Sequence, residues 1–544
     1  MLSALIRAAA MVIALSMAQA RADLRLSWFD AQRPGAQAVV ATELLRQAFS
    51  FGLDPADYQA QALTTAVQNA LQSDDWDDGA RQRLDAALTE AMQRYLSDLQ
   101  SGRVTPGQVQ ASFAPRKRPH EDVSLILRQA VAGGQLAQAV QTMARHTPMA
   151  QPLQAALQQY RDLVDAPQWR APLPMPGRGK LVAGQEYPGL DMLVRRLQAL
   201  GDLDTALSTA PLVTSALIAV PPKPPLFAGA LVEAVRTFQL RHGLEPDGVI
   251  GRLTLAQLNV TPAQRVRQIE LTLERLRWTP LLQGRRMVVV NVPEFMLRAY
   301  AVRPDGVDIA LEMKIIVGKA LDTRTPLFDE DMLRIEFSPY WNIPRSIALS
   351  ETLPRLRDDP AYFAQQGFEF VTSERTVVNT LSEFNLEAVQ QGRWRIRQRP
   401  GPQNALGAIK FIFPNNGNIY LHHTPAPRLF ARERRDFSHG CIRVEAPVAL
   451  AQFVLQEDPQ WSEERIRSAM DSGVSRTFNL REPLPVLIAY ATVVVKNGAV
   501  HFYDDLYGHD RLLDQALRAR SAALAHASVP AVVPSRLSVP AFAP

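Results

Sequence analysis

Cysteine is almost missing: Cys441 is the only one in 544 residues. No internal disulfide can form, so packing alone must hold the fold together. A large excess of either charge is also missing: 59 Lys and Arg stand against 54 Asp and Glu. The formal net charge is +5. That mild excess suits an anionic partner such as nucleic acid, acidic lipid or an acidic wall polymer, or simply a solvated surface, and a nucleic-acid role has nothing else behind it. Beyond the first residues, no run reaches the ~20 apolar positions of a membrane span without meeting charge. Several catalytic signatures are missing as well. Without Ser-x-x-Lys or Gly-x-Ser-x-Gly, serine acyl-enzyme chemistry lacks its usual frame. Without His-Glu-x-x-His, so does zinc proteolysis. Gly177-Arg178-Gly179-Lys180 has neither the glycine spacing nor the following hydroxyl of a phosphate loop.

The first residues carry an address. Arg7 precedes an apolar run over 8–17, and Ala18-Gln19-Ala20 is a small-x-small cleavage site. Residues 1–20 are expected to be a signal peptide cut after Ala20, with a retained anchor as the alternative reading. The chain is therefore expected to be exported, to the periplasm. A lone thiol in an oxidising compartment is a liability, and keeping it suggests chemistry, although a single cysteine is often only a small apolar residue.

Hydrophobic periodicity divides the rest. Residues 23–165 read as a helical scaffold, with Leu84, Leu88, Ala91, Tyr95 and Leu99 on one face. A proline- and glycine-rich strap over 166–179 follows. Residues 185–260 read as three short helices, one carrying Leu193 and Leu197, one carrying Val235 and Phe238, and one over 251–258. After a linking helix over 262–278 the pattern turns to strands at 287–292, 313–317, 409–413 and 419–422. A hairpin is expected at Asn497-Gly498, between strands 486–495 and 499–503. A long polar stretch, about 345–406, reads as a mostly helical insertion. The tail over 517–544 reads as disordered.

Chemistry concentrates in Tyr420-Leu421-His422-His423-Thr424 and Ser438-His439-Gly440-Cys441-Ile442-Arg443. A thiol nucleophile needs an imidazole to take its proton and donors for an oxyanion. Three of the nine histidines lie in these two segments with the only cysteine. A zinc site is the main rival, but His439 and Cys441 are one residue too close for the usual ligand pair. An inert buried cysteine beside core histidines is the other. No cofactor or metal is expected. In a strand, His422 and His423 face opposite ways, so only one can serve Cys441.

The string His422-x-Thr424 with Ser438-His439-Gly440-Cys441-Ile442-Arg443 resembles the signature of the L,D-transpeptidase family, across about 285–508. Val235-Arg236-Thr237-Phe238-Gln239, Gly243-Leu244, Asp247-Gly248, Ile250-Gly251 and Thr254 resemble a peptidoglycan-binding domain. Residues 337–344 and the insertion after them resemble the large periplasmic branch of that family and its capping subdomain. The resemblance implies a multidomain α+β protein: helical scaffold, three-helix binding domain, and a β-rich catalytic domain with a helical cap. It implies Cys441 as nucleophile, His422 as base, and Tyr420, His439 and Gly440 around the oxyanion. It implies Arg443, Trp341, Thr424 and Ser438 against substrate. The expected reaction joins two peptidoglycan stems: a tetrapeptide donor loses D-alanine and a second stem accepts, giving a 3-3 cross-link. Other wall-synthesis enzymes are possible partners. An L,D-carboxypeptidase or amidase on the same site, or a non-catalytic wall-binding scaffold, are the alternatives.

Overall fold

The structure is a computed structural model. It describes residues 28–30, 32–72, 77–110, 113, 121–144, 149–204, 226–279, 284–303 and 306–526. The expected signal peptide, the proline cluster at 221–225 and the tail beyond 526 lie outside these residues.

The first unit is helical, as its periodicity requires. The helix Asp78–Ser101 starts where the Asp77 carboxylate accepts the Ala80 N–H, the usual N-terminal cap. Its stripe of Leu84, Leu88, Met92, Tyr95 and Leu96 is fully buried against Ala36–Arg46 and Leu136–Ala144. Tyr58 donates to Asp98 at 2.8 Å inside this core.

The second unit shows why its motif residues recur together. The helix Ala230–Arg241 buries Val235 and Phe238. Its Gln239 amide donates to Asp247 at 2.7 Å, to the Val249 carbonyl at 3.0 Å and to Thr254 at 3.1 Å. Gln239 also accepts the Gly248 N–H at 2.8 Å. Gly248 has φ +75°, and a Cβ there would press on Val232, so glycine is required. One side chain therefore pins the turn to two helices. Arg241 then joins this unit to the rest, pairing with Asp202 and donating to the Val500 carbonyl at 2.6 Å.

The helix Pro262–Leu276 links the halves, opened by a Thr261–Gln264 capping box with proline at its first turn. Beyond it, eight strands pair in a closed ring. Their order is Gly306–Gly318, Ile442–Val444, Leu421–His422, Ile409–Ile412, Phe328–Phe337, Arg476–Ala489, Arg286–Asn291 and Met296–Arg303, which pairs back on Gly306–Gly318. The short strand Asp436–Ser438 lies outside the ring, parallel to Gly306–Gly318. Val290, Ile315, Ile335, Phe411, Leu421 and Ile442 fill the interior. Closure leaves few edges to protect.

Three expectations change. The helical insertion also holds a sheet that was not expected: Trp341–Asn342, Phe368–Val371, Val377–Val378 and Arg395–Gln398 form four antiparallel strands under its helices. Phe370 and Ile396 pair across that sheet and are buried. Two four-residue strands are too short for their period to stand out amid polar neighbours. The run 486–495 is not one strand. It breaks after Ala489, and Val493–Lys496 forms the hairpin with Ala499–Phe502. Asn497 and Gly498 take φ +48° and +78°, as a primed turn demands. The tail does not become structureless at 517, because the helix His509–His526 continues through it. Leu517 is buried, and Arg520 reaches Asp98 at 2.8 Å. Long-range pairing outweighs a composition that reads as disordered.

Glu274 is the electrostatic bolt between halves. It is fully buried and accepts from the Arg103 backbone and guanidinium and from Arg277. Burial alone would raise its carboxyl, but Arg103 and Arg277 hold it below the usual range. Glu274→Ala leaves two buried guanidinium groups short of a partner. It should cost about 3–5 kcal/mol, read as a lower midpoint in chemical denaturation. A midpoint unchanged within error would refute this role.

Candidate active site

Strand alternation assembles the site. Leu421 pairs with Ile442 in parallel, both with 0% exposure in the core. Their neighbours Tyr420, His422, Cys441 and Arg443 therefore share the opposite face. His422 lies beside Arg443 on one side and Lys410 on the other, and Lys410 lies beside Glu336. Lys410 was not foreseen. It sits in the expected strand, but nothing local marks it; only the register brings it to this face.

The cysteine starts its strand after a strained turn. Gly440 takes φ +110°, and a Cβ there would stand 3.1 Å from Ile419, so this position requires glycine. Ser438 braces the turn: its hydroxyl donates to the Cys441 carbonyl at 2.5 Å and accepts the Gly440 N–H at 3.2 Å. Thr325 donates to the Gly440 carbonyl at 2.8 Å. Asn418, at φ +51°, presents its carbonyl 3.7 Å from the Cys441 sulfur. A non-glycine residue held left-handed beside a nucleophile is typical of a functional turn.

Cys441 is partly exposed. Burial pushes its thiol up, while hydrogen bonds from the Tyr420 backbone and hydroxyl, then Lys410 and Arg443, pull it down. Tyr420 is itself raised by burial, and further by the neighbouring sulfur, so its hydroxyl stays a donor. Its ring meets His422 edge-on at 5.8 Å. His422 has only 4% exposure, and its Nδ1 lies 2.6 Å from the His423 carbonyl. That partner makes Nδ1 a proton donor, and the Leu406 backbone is a second hydrogen-bond partner of the ring. Burial, then Arg443, lowers His422 to about 3. The resting pair is thus a neutral thiol and a neutral imidazole.

His423 turns away, as alternation requires. Its Nδ1 accepts the Ala408 N–H at 3.2 Å. Thr424 and Ser438 were expected against substrate, but they are 2% and 1% exposed and bonded to backbone. They shape the turns instead. Trp341 packs on the core of the cap. The Gly440 N–H is engaged by Ser438, so it is not an open oxyanion donor. Of the arginines in this stretch, Arg434 pairs with Asp436 and Arg435 donates to four backbone carbonyls. Arg443 has a buried Nε without a partner.

His439 faces the cap, its Nε2 2.6 Å from Glu351. Glu351 lies in the π-turn Ala348–Thr352. This contact joins the cap to the turn that carries Cys441. The pair is largely exposed, so its worth is at most about 1 kcal/mol. Glu351→Ala should speed amide hydrogen exchange in 345–406 about fivefold, with the scaffold unchanged. Exchange left unaltered in the cap would show that the pair does not hold it.

Among the described residues, no cluster of three or more His, Cys, Asp or Glu fits a metal.

Comparison with known proteins agrees with this geometry. Residues 285–466 match the L,D-transpeptidase catalytic domain. Residues 15–157 match a scaffold domain, and residues 190–258 match a domain described as "Putative peptidoglycan binding domain". A protein of Haemophilus influenzae described as "Putative L,D-transpeptidase" is 32% identical over 250 residues, 46% of this chain and 49% of that protein. The chain thus spans about half the length of that relative. Pig epoxide hydrolase 1 is 25% identical over 100 residues, 18% of this chain and 22% of that protein. Three successive stretches of the chain are thus similar to a scaffold domain, a peptidoglycan-binding domain and an L,D-transpeptidase catalytic domain.

Proposed function

We propose that this chain is a cysteine transpeptidase that forms 3-3 cross-links in peptidoglycan, in the periplasm after export by its N-terminal signal. The observation that carries this reading is the shared face of Cys441, Tyr420 and His422, with the imidazole held neutral by burial.

The reaction follows from that face. The Cys441 sulfur attacks the carbonyl of the third residue of a tetrapeptide stem, and its proton passes to the His422 imidazole as the bond forms. Negative charge develops on the carbonyl oxygen. The Tyr420 hydroxyl and the amides at His439 and Cys441 are the donors for it. The C–N bond breaks, the imidazolium gives its proton to the departing D-alanine amine, and a thioester remains. The side-chain amine of a second stem then attacks, losing its proton to the imidazole. The thioester becomes an amide and the thiol is restored. One amide replaces another, so no ATP is required. The domain at 190–258 would keep the enzyme on its polymer.

Water in place of the amine would make the same site a carboxypeptidase. Incubation with purified tetrapeptide muropeptides, followed by mass spectrometry, separates the readings. Dimers with loss of one D-alanine per link are expected. Tripeptide monomers alone would establish hydrolysis, and unchanged muropeptides would overturn both.

A further inference from the structure

A cavity lies against the outside of the barrel, and none of its lining residues belongs to the face around Cys441. It measures about 540 Å³, inside the roughly 300–1,000 Å³ range of small-molecule sites. Its wall is largely apolar. Val289, Tyr300 and Leu487 come from the outer face of the strands Arg286–Asn291, Met296–Arg303 and Arg476–Ala489. The residues that alternate with them, Val288, Ala299 and Val486, fill the barrel. Leu153 closes one side from the helix Ala150–Asp162. Val307 and Ile309 edge the mouth, where Ile309 is 55% exposed.

Two donors in this wall have no partner. The helix Pro262–Leu276 turns Thr272, Arg275 and Leu276 to the cavity, one helix face at i, i+3 and i+4. Thr64, Thr89 and Thr237 each donate to the carbonyl four residues back, as helical threonines do. The Thr272 hydroxyl makes no such bond and is buried without a partner. Arg275 pairs with Asp510 through Nη1, while its Nη2 is buried and unpartnered. Thr272 is 1% exposed and Arg275 8%. Buried donors left unmet are costly, so each calls for an acceptor. That acceptor need not be charged. Asp510 already answers Arg275, and Glu294 and Glu312 answer Arg298, the other cation in the wall. A full carboxylate would arrive here without a counter-charge.

We propose that this cavity binds a neutral single-chain amphiphile. Its alkyl chain lies along Val289 and Leu487, and an uncharged oxygen head, an ester or alcohol, accepts from Thr272 and Arg275. The occupant touches the linking helix, the helix Ala150–Asp162 and the barrel at once, so its binding stabilises the junction between them.

The test titrates the full chain with 1-monolauroylglycerol below its micelle concentration. Uptake is read by native mass spectrometry and by thermal melting. One adduct per chain and a Tm raised by a few degrees at saturation are expected. Dodecanoate and dodecyltrimethylammonium, with the same chain length and charged heads, should bind about tenfold more weakly or worse. Thr272→Val keeps the shape and removes the donor, and should weaken binding about 3–10-fold. Val307→Trp fills the mouth and should abolish it. Iodoacetamide labelling of Cys441 should be unchanged in both variants, which checks that the barrel is intact. No uptake by the wild type would overturn the proposal, and so would dodecanoate binding as tightly. Equal uptake by the wild type and Val307→Trp would place the adduct elsewhere and overturn it too. Should Val307→Trp fail to fold, Thr272→Val decides, since an unchanged affinity removes the donor from the site. A concentration-dependent dimer that Val307→Trp dissolves would give this wall to a second copy of the chain instead.

Discussion

Cys441→Ala should abolish both thioester formation and cross-linking, lowering the rate by several orders of magnitude. The size follows from the single-nucleophile design. In the proposed mechanism every bond change passes through this sulfur, and removing a nucleophile leaves only what binding and oxyanion donors contribute. The fold should survive. Cys441 is partly exposed and starts its strand at the rim of the core, so losing one sulfur opens no large cavity. Circular dichroism and thermal melting should match the wild type while intact-mass spectrometry shows no adduct from tetrapeptide donors. Cys441→Ser is the stricter comparison, because a hydroxyl keeps the hydrogen bonds to Tyr420. An imidazole lowered to about 3 is too weak a base for a serine hydroxyl, whose proton is far less acidic than a thiol's, so this variant should also be inactive. A Cys441→Ala protein that still formed dimers would remove the cysteine mechanism altogether.

The site was legible because its residues are close in sequence and unusual in type. The lone cysteine, its glycine and the histidines sit in two short segments, and strand alternation alone separated His422 from His423. The hairpin at Asn497-Gly498 was legible for a similar local reason: few residues accept two positive φ angles in succession. What stayed hidden was set by long-range pairing. Lys410 joins the site only through the register of three strands. Glu351 meets His439 from 88 residues away. The small sheet of the cap rests on Phe370 and Ile396, whose strands are too short for a period to declare itself. Ser438 and Thr424 show the opposite error. A polar residue inside a motif suggests substrate contact, yet both hydroxyls satisfy buried backbone in a tight turn, where an unpaired group would be costly.

His422→Ala should remove turnover, while His423→Ala should leave most of it. The reason is geometric before it is electrostatic. His422 shares the face of Tyr420 and Cys441, whereas His423 lies on the other face and directs Nδ1 to the Ala408 amide. Loss of the base should lower the rate by about 10²–10⁴-fold and raise the pH needed for iodoacetamide to label Cys441. Acid should tell the same story through stability. His422 titrates at about 3 in the folded chain, against about 6.5 when unfolded. The unfolded state therefore binds the proton first. The stability that the neutral ring contributes is complete above about pH 6.5 and is lost as pH falls toward 3, a span worth a few kcal/mol. His422→Gln, which cannot titrate, should flatten the part of the acid-denaturation curve that lies between those limits. The labelling profile and the acid curve are independent readouts of one ring. If His423→Ala shifted the labelling profile, and His422→Ala left both profile and turnover near wild type, His423 rather than His422 would be the base.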